Sequence, residues 1–115
     1  MQAEFGDKFM RTARIVMPKT ARKGEIIEIK TLVTHPMETG YRRDDMGKAI
    51  PRDIIKLLTV TYGGEEIFRM DMFPGTAANP FAAFSTIATE TGELVFTWTD
   101  DTNESTVEKV KLTVT

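Results

Sequence analysis

Apolar and polar positions alternate along most of this chain with a period of two, the signature of β-strands buried on one face. Ala13, Ile15 and Met17 alternate with Arg14 and Val16, and Ile27, Ile29, Thr31 and Val33 alternate with Glu28, Lys30 and Leu32. Arg22-Lys23-Gly24 supplies a turn between these two runs. A third strand over residues 54–62 reaches Gly63-Gly64, and a fourth returns over residues 65–72. A Gly-Gly pair between β-prone runs signals a hairpin, because both residues take the positive φ of a tight turn. Further strands are predicted over residues 81–88, 93–99 and 107–114, with Leu94, Phe96 and Trp98 facing one side and Val95, Thr97 and Thr99 the other.

Seven short strands punctuated by Gly, Pro, Asp and Asn predict an all-β fold, an antiparallel β-sandwich of immunoglobulin type without a disulfide. Residues 11–115 form one domain on this reading, and residues 1–10 are expected to be a flexible end. One segment breaks the pattern. Residues 35–52 form a polar insert of 18 residues between two predicted strands. Loops longer than about 12–15 residues are uncommon in compact domains and usually carry function or disorder.

Composition narrows the function. Hydrophobic residues make up 41% of the 115 and charged residues 28%, as in globular domains, and no run approaches the roughly 18 apolar residues of a membrane helix. There is no cysteine, hence no disulfide, thiolate metal site or thiol nucleophile on this chain. The N-terminal stretch lacks the basic and apolar regions of a signal peptide. Net charge is −2, but residues 1–64 hold 12 Lys/Arg against 8 Asp/Glu and residues 65–115 hold 3 against 9. That split suits a protein partner with complementary patches better than nucleic acid, an ordinary charged surface being the alternative, and no membrane partner is expected.

Three constellations could carry chemistry. His35 is the sole histidine, so a triad would need Ser85 or Ser105, and neither sits in the strained turn of a nucleophile elbow. His35 is expected instead to end a strand before Pro36. Asp100-Asp101-Thr102-Asn103-Glu104 gathers oxygens, but the spacing fails the EF-hand pattern, since Thr106 and Leu112 occupy the sixth and twelfth positions counted from Asp101. A turn built on Asp and Asn side chains is the better reading. Arg42-Arg43-Asp44-Asp45 could clamp a small anion through arginine forks, pair internally, or dock a partner. Docking or internal structuring is favoured. No catalytic residue, metal site or cofactor site is expected.

The chain also carries an apolar excess. Strand 54–62 is apolar on both faces, with Ile54, Leu58, Val60 and Tyr62 on one and Ile55 and Leu57 on the other. Met70, Met72, Phe73, Phe81 and Phe84 then crowd around Pro74-Gly75 and Asn79-Pro80. Central burial accounts for part of this, and the remainder points to an interface, where Met and aromatic residues are enriched. The candidate partner-binding residues are therefore Arg42, Arg43, Asp44, Met70, Met72, Phe73 and Phe81.

Several runs carry a resemblance. Pro18-Lys19-Thr20-Ala21-Arg22-Lys23-Gly24-Glu25, His35-Pro36-Met37-Glu38-Thr39-Gly40, Arg42-Arg43-Asp44, Gly47-Lys48, Ile50-Pro51-Arg52, Ala78-Asn79-Pro80-Phe81 and Phe96-Thr97-Trp98-Thr99-Asp100-Asp101 together resemble the SoxZ family of the thiosulfate-oxidising Sox system. The resemblance covers nearly the whole chain after residue 10, and the 35–52 block is its most specific part. It implies an accessory, non-enzymatic immunoglobulin-like subunit that forms a heterodimer or higher assembly with SoxY. SoxY carries sulfur intermediates covalently on a cysteine in a mobile tail and presents them to the other Sox enzymes, which this subunit would touch transiently. The implied location is the periplasm, reached by export with a signal-bearing partner. Lacking a thiolate, this chain would then be the scaffold and not the carrier. The rival expectation is a free-standing sandwich binding a small anion through residues 35–52.

Overall fold

The computed structural model describes residues 12–115, so the flexible end expected over residues 1–10 lies outside the described residues. Eight strands follow in order: β1 Ala13–Val16, β2 Thr20–Ala21, β3 Ile26–Val33, β4 Ile55–Tyr62, β5 Glu65–Asp71, β6 Phe81–Ile87, β7 Gly92–Asp100 and β8 Ser105–Val114. All seven predicted strands are present. The eighth, β2, is only two residues long and pairs parallel with the end of β8, a contact too short to leave a periodic trace in the sequence. The other pairings are antiparallel.

The strands form a sheet of order β1-β3-β6 packed on a sheet of order β2-β8-β7-β4-β5. Between them lies one apolar interior, with Ile27, Ile29 and Val33 from β3 meeting Leu58, Val60, Leu94, Phe96 and Trp98 from β4 and β7. The alternation of β3 is perfect, exposed at Ile26 and buried at Ile27, and so on to Val33. Phe68 of β5 and Phe84 of β6 stack at 4.2 Å between ring centroids with 4° between planes, closing the side where those two strands border the interior.

One local irregularity corrects the sequence reading of β4. Its register against β7 shifts between Ile55 and Leu57, a bulge at Lys56. The extra residue turns Ile55 onto the interior face opposite the buried Asp100, so Ile54 and Ile55 are both buried although the simple alternation sets them on opposite sides. Leu57 stays on the outer face and is half-buried.

The turns follow local chemistry. Gly63 and Gly64 have φ of 59° and 86°, as the β4–β5 hairpin requires. At the β7–β8 turn the Asp100 carboxylate accepts bonds from the N–H groups of Thr102 and Glu104 at 2.9 and 3.0 Å and from the Thr102 hydroxyl at 2.7 Å. The acidic cluster therefore builds a turn, as its side chains suggest. Its neighbour Asp101 does something else. It accepts a fork from Arg52, with Nε at 2.9 Å and Nη2 at 3.1 Å, and the Ile54 N–H at 3.1 Å, fastening the end of the insert to this turn.

At the opposite end Tyr62 ties the two sheets together. Its hydroxyl accepts the N–H groups of Thr89 and Glu90, each at 3.2 Å, and donates to the Glu90 carbonyl. Tyr62→Phe leaves three backbone groups without that partner, and the expected loss is about 1–2 kcal/mol in urea unfolding with an unchanged m-value.

The Arg52 fork, seconded by the Ile54 N–H, holds the Asp101 carboxyl below its ordinary range. A depressed carboxylate stabilises the fold above its unfolded pKa, about 3.9, and that contribution disappears as pH falls through the lower folded value. Asp101→Asn is expected to lose about 0.5–1 kcal/mol near neutral pH. In unfolding curves between about pH 2 and 6 the gap between the two proteins should close below about pH 4.

Candidate docking surfaces: the insert and the exposed apolar side chains

The insert is structured by its own residues. Its neck is a pair of reciprocal backbone bonds between Glu38 and Asp53, at 2.9 and 2.8 Å. Further out, the Ile50 N–H donates to the Arg42 carbonyl at 2.9 Å, and a second bridge joins Arg43 to Ala49. Gly40 sits beside the neck with φ of +87°, where an added Cβ would meet the Arg52 Cβ at 3.0 Å. Only glycine fits both the left-handed backbone and that approach.

Three charged side chains of the insert, Arg42, Arg43 and Asp44, are spent on this architecture. Asp44 Oδ1 accepts the N–H groups of Met46 and Lys48, both at 2.9 Å, and Arg43 Nη1 donates to the Gly47 carbonyl at 3.0 Å. Arg42 grips Glu38, with Nε at 3.1 and 3.2 Å from its two oxygens and Nη2 closer still. Hydrogen bonding to Arg42 holds the Glu38 carboxyl below the usual carboxylate range, and the same bonds raise Arg42. Internal structuring, one of the readings of Arg42-Arg43-Asp44-Asp45, is thus what the geometry shows. Two of the three insert arginines, Arg42 and Arg52, already hold carboxylates with their forks, which weakens the small-anion reading.

The root of the insert is buried. His35 is 1% exposed; its N–H donates to Asn79 Oδ1 at 2.8 Å, and the Asn79 N–H returns to the His35 carbonyl at 2.7 Å. The imidazole Nδ1 accepts the Met37 N–H at 2.9 Å, and Nε2 lies 3.7 Å from Asp53 Oδ1. Met37, itself buried, accepts the Ile55 N–H on its sulfur at 3.3 Å. His35 therefore locks the two ends of the insert against the β5–β6 connection. Ser85 and Ser105 are both exposed, the first on β6 and the second opening β8.

The apolar candidates separate by burial. Met72 is in the core, where it fills the interior after β5, so it offers no surface to a partner. Met70 is half-buried against that core. Phe73 and Phe81 are 65% and 59% exposed, at the end of the sandwich where the insert emerges. Tyr41 and Met46 within the insert are more exposed still, at 81% and 90%. Neither was singled out by the sequence pattern, because nothing periodic marks a residue in a loop.

The sequence pattern also passed over a second set. Val16, Ile26, Leu32 and Ile87 are exposed on the outer face of the small sheet, with Phe81. Leu32 pairs with Phe81, and Ile26 with Ile87. The signal was an apolar residue in the polar phase of an alternating strand, as at Val16 and Leu32.

The family and structural comparisons bear on these surfaces. The SoxZ family model, "Sulphur oxidation protein SoxZ", matches residues 14–111. A search of curated proteins gave no match. Among solved structures, a variant of the superoxide reductase (neelaredoxin) of Ignicoccus hospitalis superposes with a TM-score of 0.76 at 16% identity, over 97% of this chain and 87% of that one. A putative superoxide reductase from Thermotoga maritima gives 0.68 at 16%, over 100% and 94%. The sulfur carrier protein SoxY from Chlorobium limicola f thiosulfatophilum gives 0.64 at 13%, over 90% and 78%. At such identities these likenesses establish the sandwich fold alone, and among the described residues no group of three or more His, Cys, Asp or Glu side chains is placed to hold a metal. The family match spans nearly the whole sandwich, insert included, and the chain belongs to the SoxZ family of sulfur-oxidation proteins.

Proposed function

We propose that this chain is the non-catalytic scaffold of a periplasmic sulfur-carrier complex. It pairs with a SoxY-like subunit whose cysteine holds sulfur intermediates for the enzymes of thiosulfate oxidation. The observation that carries this reading is the SoxZ family match on a chain with no cysteine. A covalent sulfur carrier works through a thiolate, so on this chain the cargo must sit on a partner. The fold shared with a SoxY structure fits a pair of related sandwiches.

The insert end is the docking surface on this reading. Tyr41, Met46, Phe73 and Phe81 present exposed apolar side chains there, flanked by Arg42, Arg43 and Asp44. A standard interface hides about 800 Å² per partner and an aromatic side chain contributes up to about 150–250 Å², so these anchors with a polar rim suffice.

Charge reversal of Arg42 and Arg43 is expected to weaken capture of a co-expressed SoxY-like partner or the turnover of the reconstituted system. Those arginines also hold the insert together, so Tyr41→Ser with Met46→Ser is the sharper variant. It breaks no bond of the fold and should weaken partner binding at least tenfold by calorimetry, with an unchanged melting temperature. Unaltered affinity in both variants removes the insert from the interface. A chain that stays monomeric beside every SoxY-like partner removes the scaffold reading itself.

A further inference from the structure

Among the described residues four strands form the edges of the two sheets, and three of them are blunted. β2 has two residues and β1 four. β5 carries a register shift against Val60 and Thr61 and bears Glu65, Glu66, Arg69 and Asp71. Short length, bulges and charges are the devices by which sheet edges avoid pairing with other chains. β6 has none of them. It runs seven residues, Phe-Ala-Ala-Phe-Ser-Thr-Ile, without a charge and without a register shift against β3.

The pairing of β3 with β6 fixes which backbone groups face outward. The Val33 N–H donates to the Pro80 carbonyl and the Ala88 N–H to the Glu25 carbonyl, so the even-numbered residues of β6 bond to β3. Phe81, Ala83, Ser85 and Ile87 therefore direct their N–H and C=O groups to the open edge. Their side chains are the exposed ones of the strand.

We propose that β6 pairs antiparallel with β6 of a second copy of this chain, about a two-fold axis through Phe84, joining two three-stranded sheets into one of six. The register is self-complementary. Phe81 falls opposite Ile87 of the other copy and Ala83 opposite Ser85, large against large and small against small, with no charge in the row. About eight backbone hydrogen bonds form, two for each of four pairs. Leu32 and Ile26, neighbours of Phe81 and Ile87 on β3, continue the apolar rows behind the junction. A single strand edge with a few flanking side chains falls at the small end of specific interfaces, so the dimer is reversible and concentration-dependent. The inference rests on the edge and not on the pairing with a SoxY-like subunit, and Phe81, which borders the insert end as well, serves one contact at a time.

The test is sedimentation velocity on the isolated full chain across about 1–500 μM, expecting a monomer–dimer equilibrium with micromolar Kd. Ala83→Lys with Ser85→Lys places like charges opposite one another and should weaken the dimer at least tenfold, as should Ala83→Glu with Ser85→Glu. Mixing the two variants should restore it, because each Lys then meets a Glu. On the unaltered chain, raising the concentration should slow amide exchange at Phe81, Ala83, Ser85 and Ile87 and leave Ala82 and Phe84 unchanged. A chain monomeric throughout, variants that dimerise as well as the parent, a mixture that fails to recover, or uniform exchange across β6 would each overturn the proposal.

Discussion

Two sheets of unequal width share one apolar interior, and that mismatch governs the molecule. At roughly 4.8 Å per strand, the three-stranded sheet spans about 10 Å between its outermost axes and the five-stranded sheet about 19 Å. The larger sheet is most continuously covered near its middle. Leu58, Val60, Leu94 and Phe96, on the central strands β4 and β7, are accordingly fully buried. Strand β8 is covered toward its end, where Leu112 is buried, and less so at its start. Glu108 shares the inward face with its partner Phe96, yet Phe96 is buried and Glu108 exposed. On the other flank the Phe68–Phe84 stack fills the gap with two half-buried rings. The narrow sheet, for its part, exposes Val16, Ile26, Leu32, Phe81 and Ile87 on its outer face around the charged pair Glu28 and Lys30. These apolar side chains are one physical basis for reading the chain as part of an assembly.

Much of the fold was legible because its determinants are local. The Gly63-Gly64 hairpin and the Asp100–Asn103 turn depend on backbone freedom and on side chains bonding their own neighbours, both written in a few consecutive residues. Strand β3 was legible because one of its faces is wholly buried and the other wholly exposed. What escaped depends on partners distant in sequence. The bulge at Lys56 follows from the register against β7, and it alone explains why Ile55 is interior. Pairing of Thr20-Ala21 with β8 spans about ninety residues.

The insert was legible in outline, whereas the surroundings of its individual side chains were not. The insert stood out by its length and chemistry, and its charged residues are indeed brought together. Yet Arg42, Arg43 and Asp44 are engaged within the insert, whereas the most accessible groups there are Tyr41 and Met46. Composition marked Met72 and Phe73 alike, because a Met or Phe serves a core and an interface equally well. The end of β5 decides between them, sending one inward and leaving its neighbour out.

The neck of the insert divides positions fixed by packing from positions open to solvent. Gly40 and the Glu38–Asp53 rungs admit almost no change, since a side chain at Gly40 would strike Arg52 and widen the stem. Beyond them, Tyr41 through Ala49 are all exposed, and the hydrogen bonds of Asp44 and Arg43 stay within the tip. Side-chain changes at these exposed positions can thus alter what the tip presents to a partner without disturbing the sandwich beneath.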